Sequence, residues 1–350
     1  MTRVLLTGAG GFVAHHFLEH LLVSTDWDIT ATDSFRHKGA TDRISQVLAG
    51  FPGYAHDRVS VLTHDLTAPF SPRQVMRAAG PGLDFIIAAA SESHVDRSIT
   101  DPVPFVLNNT AVILNTLELA RQARPRAVVV ISTDEVYGPE RDGVPSPEWD
   151  TILPSSPYAA SKAAQEAVAF SYWRTYGVPV IIVNCMNLAG QRQDTEKYIP
   201  KVIRAVSRGE EVTIHGTLAD IGTRHWLHCR NLADGVLFLL NGQPPALYLA
   251  HAAPGGPAAD RPDRYNIASP DRIDNLALAQ MIAAAVGRPL RYQLVDAHSS
   301  RPGHDLHYGL DGSKMAALGW KPPVPFAESL KTTVQWSLAH PEWLALSCAV

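Results

Sequence analysis

Six short runs rich in β-branched and other apolar residues recur along the first half of the chain: "RVLLT", "DITATD", "RVSVLTHD", "LDFIIAAA", "RAVVVIST" and "VPVIIVNC". Helical patterns separate them, among them "PFVLNNTAVILNTLELARQA" and "SPYAASKAAQEAVAFSYWRTYG". A strand that is apolar on both faces needs cover on both, and parallel neighbours need a crossover between them. Strands alternating with helices at this spacing predict a doubly wound α/β fold around a parallel sheet.

After Cys185 the rhythm breaks. Polar segments such as "GQRQDTEKYIP", "HGTLADIGTRHW" and "RPGHDLHYGLDGSK" alternate with short helices and isolated strands. They predict a smaller, discontinuous α+β domain over the carboxyl edge of the sheet. The expected division gives residues 1–184 and 227–268 to the larger domain, and 185–226 and 269–350 to the smaller. "HAAPGGPAADRPDR" (His251–Arg264), dense in Pro, Gly and Ala, reads as a surface loop.

With 350 residues, nearly half of them apolar, the chain can bury one large core or two moderate ones. A net charge of −4 with scattered basic residues argues against a non-specific nucleic-acid surface. Cys185, Cys229 and Cys348 lie far apart, which argues against a zinc site or a disulfide framework, and no metal is expected. The first residues enter a strand pattern with no signal-peptide signature, and no apolar run approaches the roughly 20 residues of a membrane span. A cytoplasmic protein is expected.

"TGAGGFVAHH" follows the first strand and opens the first helix, with Gly8, Gly11 and Ala14 in a G-x-x-G-x-x-A spacing. Small residues there let a pyrophosphate approach the amides of a helix N-terminus. Asp33, at the end of the second strand, is placed to accept hydrogen bonds from a ribose. Its charge repels a 2′-phosphate, favouring NAD over NADP, although Arg36 follows three residues later. Asp65 and Leu66 either border the adenine or form an ordinary strand-end turn.

"VVVISTDEVYG" delivers Ser132, Thr133, Asp134 and Glu135 at the tip of a core strand. Adjacent carboxylates repel each other and resist desolvation, so folding alone gives little reason to place them there. In "SSPYAASKAAQE", Tyr158 and Lys162 stand at i and i+4 on one helix face. A lysine ammonium and a nicotinamide cation beside a phenol lower its pKa toward the range of a useful base.

The combination of "TGAGGF", "STDEVYG", "YAASK" and "RPGHD" resembles the extended short-chain dehydrogenase/reductase family, and within it the dTDP-glucose 4,6-dehydratase type of nucleotide-sugar enzyme. The similarity covers nearly the whole chain, including "SESHVDRSITDPVPF", "TRHWLHCRNLADG" and "YNIAS". It implies a Rossmann-like sheet holding NAD against Gly8, Gly11, Phe12, Val13, Asp33, Ser34, Arg36, Asp65, Leu66, Ala89, Ala90, Ser91, Asn108, Tyr158 and Lys162.

The resemblance also implies roles. Tyr158 takes the proton of the sugar 4-hydroxyl while hydride passes from C4 to NAD, Lys162 holds the cofactor ribose, and Thr133 orients the hydroxyl. Glu135 removes the C5 proton, protonated Asp134 donates to the departing C6 hydroxyl, and hydride returns to C6. Arg224 and Arg301 match phosphate-binding positions, and Ser93, Asn187, Lys197 and Asn266 match sugar-nucleotide contacts. His94 and Asp96 read instead as partners of local backbone, and Trp226 and Trp320 as core. Relatives pack the Tyr–Lys helix and its neighbour into a four-helix bundle, which implies a homodimer through the faces of Phe105–Leu119 and Ala163–Trp173.

The chain departs from the pattern at Ala14, where glycine is usual, at Ala88, where histidine is common, and in "NLAGQRQDTEK", where Leu188, Ala189, Gln191 and Arg192 alter the sugar neighbourhood. Two enzymatic alternatives follow, a UDP-sugar 4-epimerase and a UDP-glucuronate decarboxylase, for which Arg192 offers a cation to a uronate. A catalytically silent NAD-binding scaffold is a third reading. It has no chemical need for Thr133, Tyr158 and Lys162 together.

Overall fold

The structure, a computed structural model, describes residues 1–36, 39–80, 82–217, 220–242, 259–295 and 305–345. The six runs form β1 (Arg3–Thr7), β2 (Asp28–Asp33), β3 (Val59–Thr63), β4 (Phe85–Ala88), β5 (Ala127–Thr133) and β6 (Val180–Cys185). They continue with β7 (Asn187–Ala189), β8 (Val212–Thr217), β9 (Asp220–Ile221), β10 (Thr223–His228), β11 (Asp263–Ile267), β12 (Arg272–Asp274) and β13 (Tyr292–Val295). A seven-stranded sheet runs in the order β11-β6-β5-β4-β1-β2-β3, with every pairing parallel. Two three-stranded sheets, β12-β10-β7 and β13-β8-β9, combine parallel and antiparallel pairs.

Alternation along the strands sends side chains to two apolar layers. Val4, Leu6, Val129, Ile131, Ile181 and Val183 meet the first helix (Phe12–Ser24) and the Cys229–Gly242 helix on one face. Leu5, Val128, Val130, Val180 and Ile182 meet Ile113, Leu117 and Trp173 on the other. A third cluster, around Val202, Ile203, Ile214, Trp226, Leu278 and Val334, fills the smaller sheets' side. Trp226 and Trp320 are both core residues, and the Trp320 indole donates to Asp234 at 2.8 Å.

Two expectations change. The surface loop expected over His251–Arg264 ends sooner, because Asp263 begins β11 and Arg264 is fully buried against Glu166. Most of that stretch, like Cys348, lies outside the described residues. The helix Pro102–Ala123 is long and apolar enough to cross a membrane, contrary to the sequence reading. It packs instead along the Pro157–Tyr176 helix and buries half of its most apolar window, as a core helix does. Strand β10 spans residues 226 and 227, where the sequence reading divides the two domains.

Candidate active site

β1 pairs with β2 on one side and β4 on the other, so the winding of the chain reverses there and leaves a crevice at the carboxyl ends of the strands. A cavity of about 370 Å³ occupies it. Thr7 closes β1, and its hydroxyl accepts from the amides of Ala89 at 3.0 Å and Ala90 at 3.1 Å. Gly8 takes φ +70°, and a Cβ on it would lie 2.8 Å from the Ala90 Cα. The Gly11 amide donates to the Gly8 carbonyl at 2.7 Å, and no side chain caps the first helix, so its positive end is left for an anion at the cavity wall.

Asp33 accepts from the amides of Gly10 at 3.0 Å and Phe35 at 2.9 Å, which fixes its carboxylate beside that turn with lone pairs to spare for ribose hydroxyls. Phe12, Val13, Ser34, Asp65, Leu66, Ala89, Ala90, Ser91 and Asn108 share the wall with Gly8, Gly11 and Asp33. Arg36 does not line it. The guanidinium pairs with Asp65 instead, since a half-exposed arginine next to a carboxylate takes the nearer partner. A glycine cradle that a Cβ would fill, an uncapped helix end and an anchored carboxylate fit NAD.

At the reactive end, Thr133 is the last residue of β5 and caps the 3₁₀ turn Asp134–Tyr137. Its hydroxyl accepts from the Glu135 amide at 3.3 Å and donates to Asp134 Oδ1 at 3.0 Å. The Pro157–Tyr176 helix begins with Ser156 accepting from the Ala159 amide, while the Tyr158 amide donates to Ser98 Oγ at 3.1 Å. Tyr158 and Lys162 thus stand on the same cavity wall as Thr133, Asp134 and Glu135.

Lys162 Nζ donates to the Ile131 carbonyl at 2.7 Å and to Gln165 Oε1 at 2.5 Å. Gln165 Nε2 in turn donates to the Asn109 carbonyl at 2.8 Å, and the buried Asn109 amide donates to Ser161 Oγ and the Glu92 carbonyl. Gln165 and Asn109 hold Lys162 in place, and the sequence reading missed both. The available signal was polar residues standing among otherwise apolar helix positions.

Burial raises the Asp134 carboxyl to about 6. Burial and then the charge of Asp134 raise Glu135 to about 7. Burial lowers the Lys162 ammonium to about 8. Tyr158 differs from expectation: burial and the charge of Glu135 push its phenol well above the ordinary value, while a hydrogen bond with Thr133 works against them. The expected lowering does not arise from this chain alone, because the ammonium of Lys162 is engaged with Ile131 and Gln165.

Ser93, Asn187 and Lys197 line the same cavity, and Lys197 Nζ donates to the Ser93 carbonyl at 2.9 Å. His94 caps the Val95–Thr100 helix by accepting from the Arg97 amide, and Asp96 lies in its first turn. Asn266 is not on the wall. It is fully buried and donates to the carbonyls of Ser146 at 2.9 Å and Asp311 at 3.1 Å, because its place in β11 points it into the protein. Arg224 also stands off the wall, its guanidinium satisfied by the carbonyls of Thr223, Asp305 and Leu306 and lying over the Tyr308 ring. Arg301 lies outside the described residues.

Arg192 turns away from the cavity. With φ +62° it sends its guanidinium over the Trp336 ring and to Gln46 Oε1 at 2.9 Å, while Arg43 holds its carbonyl. Beneath this loop His16 Nε2 donates to the Gln191 carbonyl at 3.1 Å, in contact with the rings of His15 and His228.

Residues 4–249 match the NAD dependent epimerase/dehydratase family. The chain is 31% identical over 351 residues to a dTDP-glucose 4,6-dehydratase of Streptomyces niveus, covering 97% of this chain and 94% of that one. It is 30% identical over 339 residues to the low-salt glycan biosynthesis protein Agl12 of Haloferax volcanii, covering 97% and 99%. Among solved structures, DesIV, a dTDP-glucose 4,6-dehydratase from Streptomyces venezuelae with NAD and TYD bound, superposes with a TM-score of 0.81 at 31% identity over 98% of both chains. A UDP-glucose 4-epimerase of Thermus thermophilus in complex with NAD reaches 0.77 at 26% identity, over 96% of this chain and 98% of that one. With its sheet order, its glycine cradle and its Thr–Tyr–Lys wall, the chain belongs to the NAD-dependent epimerase/dehydratase family of extended short-chain dehydrogenases/reductases.

Proposed function

We propose that this chain is a nucleoside-diphosphate-hexose 4,6-dehydratase of the dTDP-glucose type. The observation that carries the reading is the placement of Asp134 and Glu135 on the cavity wall that also holds Thr133, Tyr158 and Lys162. NAD, which Gly8, Gly11 and Asp33 would hold, would supply the oxidant for C4 and the hydride returned to C6. Tyr158 takes the 4-hydroxyl proton, Thr133 orients that hydroxyl, and Lys162 holds the ribose and adds positive charge beside the phenol. Glu135 removes the C5 proton made acidic by the new ketone, and Asp134 protonates the leaving C6 hydroxyl.

That division of labour needs one proton on the carboxyl pair, which their raised pKa values near neutrality supply. In the free chain the Thr133 hydroxyl donates to Asp134 and favours its ionised form. A sugar hydroxyl that engages Thr133 withdraws this bond and helps pass the proton to Asp134. Ser93, Asn187 and Lys197 contact the sugar nucleotide. A uronate reading loses support, because Arg192 is committed to Trp336 and Gln46.

We further propose a larger NAD-holding domain and a smaller substrate domain divided near residues 184, 227 and 268, a cytoplasmic location, and a homodimer. Val103, Val106, Leu107 and Leu114 form an exposed apolar stripe on the Pro102–Ala123 helix beside the Tyr–Lys helix, which suits burial against a second copy.

The test is incubation with dTDP-glucose, UDP-glucose and UDP-glucuronate in parallel, followed by mass spectrometry. Loss of one water without net NAD reduction is the expected result. An isobaric product or loss of carbon dioxide would move the chain to the epimerase or decarboxylase branch. Tyr158→Phe should abolish turnover while NAD still binds, whereas unchanged turnover would remove Tyr158 from the mechanism.

A further inference from the structure

The helix that carries Tyr158 and Lys162 continues the same row of side chains, four residues on, with Glu166. Glu166 and Arg264 are each about 2% exposed and form an ion pair at 2.5 Å. Arg264 comes from β11, where it sits opposite Ile182 of β6. Its guanidinium also donates to the Tyr137 hydroxyl at 3.1 Å and lies 4.2 Å from the centre of the Trp149 ring. Asn184, in β6, donates both to Glu166 Oε1 at 2.9 Å and to the carbonyl of Thr133 at 3.0 Å. The Tyr137 hydroxyl stands 3.3 Å from Asn184 Oδ1 and closes the circuit from the end of the Asp134–Tyr137 turn.

Five elements meet in this buried network: the end of β5, the turn bearing the two carboxyls, the Tyr–Lys helix, β6 and β11. An ion pair withdrawn from water this completely returns little net stability, and apolar side chains of like volume commonly serve as well. What an apolar pair does not supply is direction. The bonds from Asn184 hold the last peptide of β5, just before Asp134, at a fixed distance from the helix turn that follows Lys162.

We propose that Glu166, Arg264, Asn184 and Tyr137 are positioning residues that set the register of the Asp134–Glu135 pair against the Tyr158–Lys162 face. The proposal rests on the dehydratase reading, in which C4 oxidation and C5–C6 elimination use opposite sides of that register. A register error separates the two steps: the oxidation proceeds and the elimination lags behind it. Misplacement by about 1 Å at such a site costs up to about a hundredfold in rate.

The experiment compares NAD-loaded wild-type protein with the double substitution Glu166→Met and Arg264→Met, which removes both charges and keeps the bulk. The expected double variant is folded by circular dichroism and binds NAD. Its kcat falls about tenfold or more with KM within about twofold, and absorbance of reduced NAD accumulates during turnover. In Tyr137→Phe, which removes no charge, the side-chain ammonium resonance of Lys162, followed by nuclear magnetic resonance without any sugar present, shifts its pH midpoint.

A double variant with wild-type kcat and no accumulation, together with an unmoved Lys162 resonance in Tyr137→Phe, would overturn the proposal and leave the network as core filling. A uniform loss of folded protein with normal partition between steps would overturn it too. Tyr137→Phe, which deletes one hydroxyl, provides the same readouts should the double variant not fold. If wild-type protein removes water from none of the sugars, the dehydratase reading fails, while the Lys162 resonance still decides the network.

Discussion

Under the proposed dehydratase reading, the carboxyl pair should make water loss steeply dependent on pH in a way that C4 oxidation is not. Below about pH 6 both Asp134 and Glu135 are protonated and no base faces C5, and above about pH 7 both are ionised and no acid faces the C6 hydroxyl. Treated as a coupled pair with those two values, the singly protonated form reaches roughly 60% near pH 6.5 and falls to roughly 9% at pH 8. The rate of elimination should therefore drop about sevenfold between those conditions. Lys162, with a value of about 8, stays largely charged over most of the same interval, so formation of the 4-ketone should change less.

The assay is a single turnover of the NAD-loaded protein from about pH 5 to 9, with water loss read by mass spectrometry and reduced NAD read by absorbance. Asp134→Asn sharpens the test. It deletes the acid, which should slow water loss by about a hundredfold or more. It also removes the charge that raises Glu135, so deuterium exchange at C5 should extend to lower pH in the variant. Water loss that is flat from pH 6 to 8.5, or a C5 exchange profile that Asp134→Asn leaves in place, would refute the reasoning.

Gly8→Ala should cost about 1–2 kcal/mol for its left-handed backbone alone, and more as the new methyl meets Ala90 backbone at 2.8 Å. Calorimetric NAD titration should show the affinity falling, and unchanged affinity would take Gly8 out of the cradle. Leu107→Glu, on a side chain 66% exposed, should give a monomer by light scattering with NAD binding retained. A dimer that survives the substitution would place the contact elsewhere.

Burial lowers His15, His16 and His228, the last to about 3. Their folded pKa values lie below the unfolded value of about 6.5, so the stability they contribute is complete above that pH and lost as pH falls. Urea melts should show a lower midpoint at pH 5 than at pH 7.5, and His228→Phe should narrow the gap. An identical gap in the variant would assign the acid sensitivity to other groups.

The parallel sheet was legible because buried parallel strands leave unbroken apolar runs, and the glycine turn because only a few residue types allow a chain to pass so close to Ala90. Thr133, Tyr158 and Lys162 were legible as a set because local spacing aligned each within its own element. What was not legible depended on partners distant in sequence. Arg264 read as loop because Pro and Gly precede it, while its partner Glu166 lies 98 residues upstream. Motif position gives Arg224 and Asn266 to the substrate, and the departure from the motif at Arg192 offers a cation to a uronate, yet their side chains serve backbone carbonyls or an aromatic ring. Direction of a side chain is a tertiary property. The Pro102–Ala123 helix teaches the converse, since its mean hydropathy reflects burial against one neighbour and an apolar stripe on the outside.

The late arrival of β11 carries a consequence for the newborn chain. When the ribosome has released everything through β6, six strands of the sheet can pair, but Glu166 has no counter-ion until about 80 further residues, Met186 to Arg264, have emerged. Synthesis at 5–20 residues per second makes that interval roughly 4–16 seconds. Through it, the open edge of β6 presents unpaired amides and carbonyls beside an unneutralised carboxylate. That charge raises the cost of burying another chain's apolar strand against the edge until Arg264 pairs with it.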